Sequence, residues 1–152
     1  MAPDPASPAA LCNCLAIRQA ARHVTQFYDQ CLAPSGLRAT QFAILSRLHR
    51  FGPMTINALA HALVMDRTTL GRNILPLERE GLIVVQPGQS DRRRKELRVS
   101  DAGAERLRAA VQGWKEAQAG FESAFGAERA AALREMMHAV AATELSAPEN
   151  AP

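Results

Sequence analysis

Aromatic residues are scarce in this 152-residue chain: only 5% of it is Phe, Trp or Tyr, with a single Trp and a single Tyr. Its core must therefore be built from Leu, Ile, Val, Ala and Met. No apolar run approaches the roughly 18 residues that span a bilayer. The opening Met1-Ala2-Pro3-Asp4-Pro5 lacks the basic segment and apolar stretch of a secretory signal, so a cytoplasmic location is expected. The chain shows no Gly-rich phosphate loop, Ser/His/Asp set or metal motif. His49, His61 and His138 are scattered, without a Cys or carboxylate at ligand spacing. Neither a metal, nor a cofactor, nor enzymatic activity is expected.

Cysteine is limited to Cys12, Cys14 and Cys31, an odd number with no zinc spacing. All three fall within one expected helix. Residues two apart point to nearly opposite sides of a helix, which disfavours a bridge between Cys12 and Cys14. Cys14 and Cys31 would stand about 25 Å apart at 1.5 Å per residue, well beyond disulfide reach. Any disulfide would have to link two chains.

What is present is a globular composition, 47% hydrophobic, with a net charge of only +3 and a pI near 9.1. So small an excess makes the placement of charge more informative than its size. Residues 1–10 and 146–152 read as flexible tails. Leu11 to Leu32 repeats apolar residues at steps of three and four and is expected to be a long helix, closed by Pro34-Ser35-Gly36. A second helix is expected over Ala39 to Arg50. Gly52-Pro53 breaks the chain. Thr55 is placed to cap a short helix, and Asp66 to cap the next, across a tight Val64-Met65 connection. Leu70, Ile74 and Leu77 form the inner face of that next helix. It is expected to weaken or bend at Pro76 and to end at Gly81.

Leu82 to Val85 and Glu96 to Val99 read as two strands of a hairpin. Ser100 opens another long helix carrying Leu107, Val111, Trp114, Phe121 and Phe125. A last helix carries Leu133, Met137 and Val140 and extends toward Leu145. The expected fold is mainly α with a small β-hairpin wing. A winged helix-turn-helix lobe occupies 38–99, and N- and C-terminal dimerisation helices occupy 11–34 and 100–145. Three aromatics on one stripe of the long helix are hard to leave in water, which argues for a partner chain; packing within one chain is the alternative.

The chemistry follows the same topology. With Leu70, Ile74 and Leu77 inward, Arg67, Thr68, Thr69, Arg72 and Asn73 are left outside, residue types that read base edges or hold phosphates in a major groove. Gly71 would let the backbone approach DNA. The hairpin tip carries Arg92, Arg93, Arg94 and Lys95 in succession. Narrow minor grooves attract inserted arginine. Between residues 67 and 98 lie Arg67, Arg72, Arg79, Arg92, Arg93, Arg94, Lys95 and Arg98, eight of the chain's 18 basic residues in about a fifth of its length. A basic tip can be a merely solvated loop. Asp91 fits either an ordinary turn-former or an anchor that pins Arg93 for groove entry.

The stretch Met65 to Leu82 resembles the recognition helix of MarR-type regulators. Asp91-Arg92-Arg93, followed by Leu97 and Ser100-Asp101-Ala102-Gly103, is similar to that family's wing signature. The resemblance spans about residues 11–145. It implies a homodimer joined through its first and last helices, binding to pseudo-palindromic double-stranded operator DNA, repression as the usual outcome, and release by a small molecule or an oxidant. It also implies that Arg93 enters the minor groove.

Two effector classes fit. Cys14 matches the reactive cysteine of the OhrR branch of the family, and Tyr28 matches one of the two tyrosines that contact it. Ala39 stands where the second tyrosine would be. Arg18, one turn beyond Cys14, could supply the charge a reactive thiolate needs; the plainer reading makes Cys14 a small buried apolar residue. The other class is a small aromatic carboxylate held between the lobe and the dimer helices by Arg18, Arg22, His23 and Phe42. A thiol-dependent enzyme and a winged helix used only for protein contacts are the remote alternatives. The first has no resolving cysteine in reach, and the second has no use for the basic tip.

Overall fold

A computed structural model describes residues 7–147. Among these lie six α-helices and a three-stranded antiparallel sheet, the winged helix-turn-helix architecture. The chain divides into two compact units, one reaching Ala117 and the other starting at Gln118.

The first helix, α1, covers Asn13–Leu32. Cys12 is its N-cap, with extended backbone, and its Sγ accepts the Leu15 N–H at 3.4 Å. Cys12 therefore stands outside the helix, and the opposite-faces argument for Cys12 and Cys14 does not hold for it. The three thiols are free. Ser7–Ala10 form a turn in which Ser7 accepts N–H groups from Ala10 and Leu11. The rest of the expected N-terminal tail, and the C-terminal tail from residue 148, lie outside the described residues. A single 3-10 turn at Ala33–Ser35 follows α1 and ends at Gly36.

The second helix, α2, covers Ala39–Phe51. It is tied to α1 by Asp29, whose Oδ1 accepts the Ala39 N–H at 2.7 Å. Met54–Thr55 then form a two-residue strand, β1, absent from the sequence reading. Thr55 Oγ1 accepts the Ala58 N–H and caps α3, Ile56–Leu63. The turn into the next helix places Val64 in the left-handed region (φ 52°, ψ 47°). The recognition helix, α4, covers Arg67–Arg79 and buries Leu70, Ile74 and Leu77, as their spacing predicts. Pro76 lies inside it, and the helix persists for three more residues because Pro76 still accepts the Glu80 N–H. Gly81 (φ 71°) ends it: its N–H bonds Glu78 O, and the Leu82 N–H bonds Leu77 O. This pairing satisfies the last carbonyls of the helix.

Strand β2 is Ile83–Pro87 and strand β3 is Lys95–Val99. They pair antiparallel from Ile83↔Val99 to Pro87↔Lys95. Strand β1 joins the other edge of β3 through Met54↔Leu97, giving the order β1-β3-β2. Two residues with no alternation carry no strand signal; β1 exists because β3 offers it an open edge.

Helix α5, Asp101–Phe125, starts at a knot of hydrogen bonds. Ser100 Oγ donates to Gly81 O and accepts the Gly103 N–H, while the Ser100 N–H bonds Leu82 O. Its inward residues in the first unit are Gly103, Leu107, Ala110 and Ala117. Small side chains here let the helix come close to Leu82 and Val99. The core is aliphatic: Leu32, Leu37, Ile44, Leu45, Leu48, Leu59, Leu70, Leu77, Leu82 and Ile83 are at most 2% exposed. Each contributes about 1.5–3 kcal/mol of burial.

Trp114 stacks on Phe42 within the chain (centroids 6.3 Å, planes 14° apart), so one of the three expected interface aromatics has an internal partner. In the second unit Phe121 and Phe125 stack at 5.4 Å, and the Arg129 guanidinium covers Phe125. The last helix, α6, is Ala127–Ala142 and stops at Thr143, leaving Leu145 beyond its end. No helix among the described residues is long and apolar enough to cross a membrane.

Candidate nucleic-acid interface

The start of α4 is held rigidly. The Asp66 carboxylate accepts both the Thr69 N–H (2.8 Å) and the Thr69 hydroxyl (2.5 Å). The hydroxyl bond, then the backbone bond, hold the Asp66 carboxyl below its ordinary pKa of 3.8. The ionised cap also suits the positive end of the helix. The Asn73 side-chain amide donates to Thr69 O, one turn back, at 2.9 Å. Of the five outward residues expected on α4, Thr69 and Asn73 are thus engaged in bonds within the helix. Arg67, Thr68 and Arg72 are exposed.

The wing is shaped by Asp91. Its Oδ1 accepts the Arg93 backbone N–H at 3.0 Å, its carbonyl accepts the Arg94 N–H, and its Oδ2 lies 3.7 Å from Arg94 Nε. Asp91 therefore fixes the Arg93 backbone, while its ionic contact goes to Arg94. Such an exposed pair contributes about 0–1 kcal/mol and can yield to a phosphate. The Gly88 N–H bonds Arg94 O and closes the loop. Lys95 belongs to β3, paired with Pro87, and so sits at the base of the tip. Arg98 is drawn across the sheet to Gln86 (3.1 Å).

The wing and α4 meet at an open cleft of about 490 Å³ lined by Thr55, Ile56, Asn57, Arg67, Arg93, Arg94 and Lys95. Four cations predicted from the sequence are thereby brought together from two elements. Thr55 and Asn57 were missed as site residues. Their only sequence signal is a polar pair at a helix start, which capping alone explains. A wet, cationic cleft with small hydrogen-bonding groups at one wall is suited to a phosphodiester backbone.

The expected effector residues are less assembled. Cys14, Arg18, Arg22 and His23 are exposed along α1. The expectation of Cys14 as a buried apolar residue is not met within one chain. Tyr28 is half-buried, edge-on to Phe27. Phe42 is half-buried against Trp114.

The MarR family model matches residues 37–95, from two residues before α2 to the foot of the wing. The DNA complex of the Mycobacterium tuberculosis transcriptional regulator MosR is 34% identical, with a TM-score of 0.74 over 88% of this chain and 99% of that one. The chain belongs to the MarR family. Its winged helix-turn-helix is that of a DNA-binding transcriptional regulator. Two further likenesses bear on the fold. The repressor CouR, solved on a 23-mer duplex, is 24% identical (TM-score 0.79, 93% and 99% coverage). BpsR of Bordetella bronchiseptica, solved to explain regulation of its DNA binding by 6-hydroxynicotinic acid, is 18% identical (TM-score 0.80, 93% and 100%). A search of curated proteins gave no match.

Proposed function

We propose that two copies of the chain form a cytoplasmic homodimer that binds a pseudo-palindromic operator, represses transcription, and releases the DNA on binding a small aromatic acid. The observation that carries this reading is the cleft at which Arg67 of α4 meets Arg93, Arg94 and Lys95 of the wing. With α4 in a major groove, the wing reaches the neighbouring minor groove, where Arg93 enters. Arg92 and Arg94 flank it, and Thr68 and Arg72 face the bases.

Pairing is supported by large apolar side chains that stay more than a third exposed in one chain: Leu11, Leu15 and Ile17 around the start of α1, and Met136, Met137 and Val140 on α6. Large apolar groups gathered in this way are seldom left in water without cause. A two-fold dimer would set its recognition helices about one DNA turn, roughly 34 Å, apart. The DNA complexes of MosR and CouR and the ligand named for BpsR support operator binding and an aromatic-acid effector by likeness. In such a dimer Arg18, Arg22 and His23 would face the space between lobes, where cations and the Phe42–Trp114 stack suit an aromatic carboxylate.

A second reading is oxidation at Cys14, favoured by its exposure and by a second exposed thiol, Cys12, at the N-cap two residues earlier. The experiment is a binding assay on the protein's own promoter fragment with aromatic acids and, separately, with peroxide. Release by acids that persists in Cys14→Ala supports the first reading. Release by peroxide that vanishes in Cys14→Ala supports the second. A monomer without affinity for duplex DNA at low ionic strength overturns both.

A further inference from the structure

At about 100° per residue, Thr68, Arg72, Leu75 and Arg79 fall within roughly 60° of arc on α4. That stripe lies opposite the buried Leu70, Ile74 and Leu77. Thr69 and Asn73, which the sequence placed among the readers, lie on the flank, where each donates one bond, to Asp66 and to Thr69 O. The outermost stripe thus contains one large apolar side chain, Leu75, 44% exposed, between two exposed arginines.

Resting on the reading that α4 enters a major groove, we infer that Leu75 is a specificity-determining residue that receives the C5-methyl group of a thymine in each operator half-site. A protein partner for so small an apolar spot would have to accept Arg72 and Arg79 on either side of it. The major groove offers that combination ready-made: phosphates and guanine acceptors for the guanidiniums, and the thymine methyl as the one apolar projection among the base edges. Arg72, one turn before Leu75, then reads a neighbouring base, and Thr68 reads the next. Leu75 stands with Gly71, Ile74 and Glu78 at the rim of an open groove rather than in the core, and its exposed part is free to meet the DNA side.

The test begins with duplexes selected from a random pool by the full-length protein. Each thymine of the selected site is replaced in turn by deoxyuridine, which removes only the methyl group, and affinity is read by fluorescence anisotropy. Wild type should lose roughly fourfold at one position per half-site, the worth of one buried methyl. Replacing both symmetry-related thymines should cost about sixteenfold. Leu75→Ala should bind the same duplexes with less than about a twofold response to the replacement, and Leu75→Met should restore it. Thermal unfolding of both variants checks that α4 is intact. Binding with no methyl-sensitive position, or a response unchanged in Leu75→Ala, overturns the inference while leaving operator binding standing. Failure to select any duplex overturns the proposed function, and this inference with it.

Discussion

Two glycines on two helices should respond to the same substitution with opposite signs. A Cβ added at Gly103 would stand 2.1 Å from Leu82 O and 2.9 Å from Val99 Cγ1, whereas ordinary contact starts at 3.4 Å. The obstacle is backbone, so no rotamer change relieves it. The same carbonyl accepts the Ser100 N–H that ties the sheet to α5, so moving it also weakens the knot around Gly81 and Ser100. Overpacking of this kind costs about 1–3 kcal/mol, and the gain in helix propensity from Gly to Ala returns at most about 1 kcal/mol. Gly103→Ala should therefore destabilise by about 2 kcal/mol. At about 2–4 °C per kcal/mol for a chain of this size, Tm should fall by roughly 4–8 °C. Gly71 has no atom within 4 Å of its added Cβ, so Gly71→Ala keeps only the helical gain. It should stabilise by about 0.5–1 kcal/mol. Thermal or urea unfolding of both variants at one protein concentration decides the matter. Equal shifts, or a Gly103→Ala protein as stable as wild type, would refute the close approach of α5 to Leu82 and Val99.

Val64 occupies the left-handed region in the turn between α3 and α4, at a cost of about 1–2 kcal/mol. Val64→Gly should stabilise the fold by about 0.5–1 kcal/mol net of the glycine's entropy, measured by chemical denaturation; a loss of stability would show that the valine packs rather than strains. The lowered pKa of Asp66 means that its capping contribution is complete above 3.8 and is lost as pH falls below that value through the folded-state pKa. An acid titration of stability should therefore be flatter below pH 4 in Asp66→Asn than in wild type, and matching acid limbs would remove the carboxylate from the account. Arg93→Ala should weaken operator binding with the fold unchanged by circular dichroism, and retained affinity would count against wing insertion. If a dimer makes roughly 6–10 phosphate contacts, affinity should drop about 10³–10⁵ between 50 and 200 mM salt; a flat salt profile would contradict the cationic cleft.

How far the sequence could be read depends on whether the determining interactions are local. Thr55, Asp66 and Gly81 end or begin helices through bonds to residues one to four positions away, and each was legible as such. The inner face of α4 followed from spacing alone. Strand β1 was not legible, because Met54 and Thr55 become a strand only where β3 passes. Thr69 and Asn73 were legible as surface residues, but not their bonds to Asp66 and to the helix backbone, since a helix wheel does not show where a hydroxyl or an amide finds its partner. Thr55 and Asn57 joined the site only when the wing folded back toward α3. Trp114 was read as an interface residue because its stacking partner, Phe42, lies 72 positions earlier.

By itself the amino-acid order fixed the run of helices, the turn chemistry and the clustering of arginine on two elements, because periodicity, capping and charge act over a few residues. The tertiary structure decided which of those polar groups have partners within the chain, that a glycine at 103 and the Trp114–Phe42 stack bring α5 against the lobe, and that the wing cations converge with Arg67. These depend on contacts between segments far apart in the chain, and no local pattern encodes a distance across the fold.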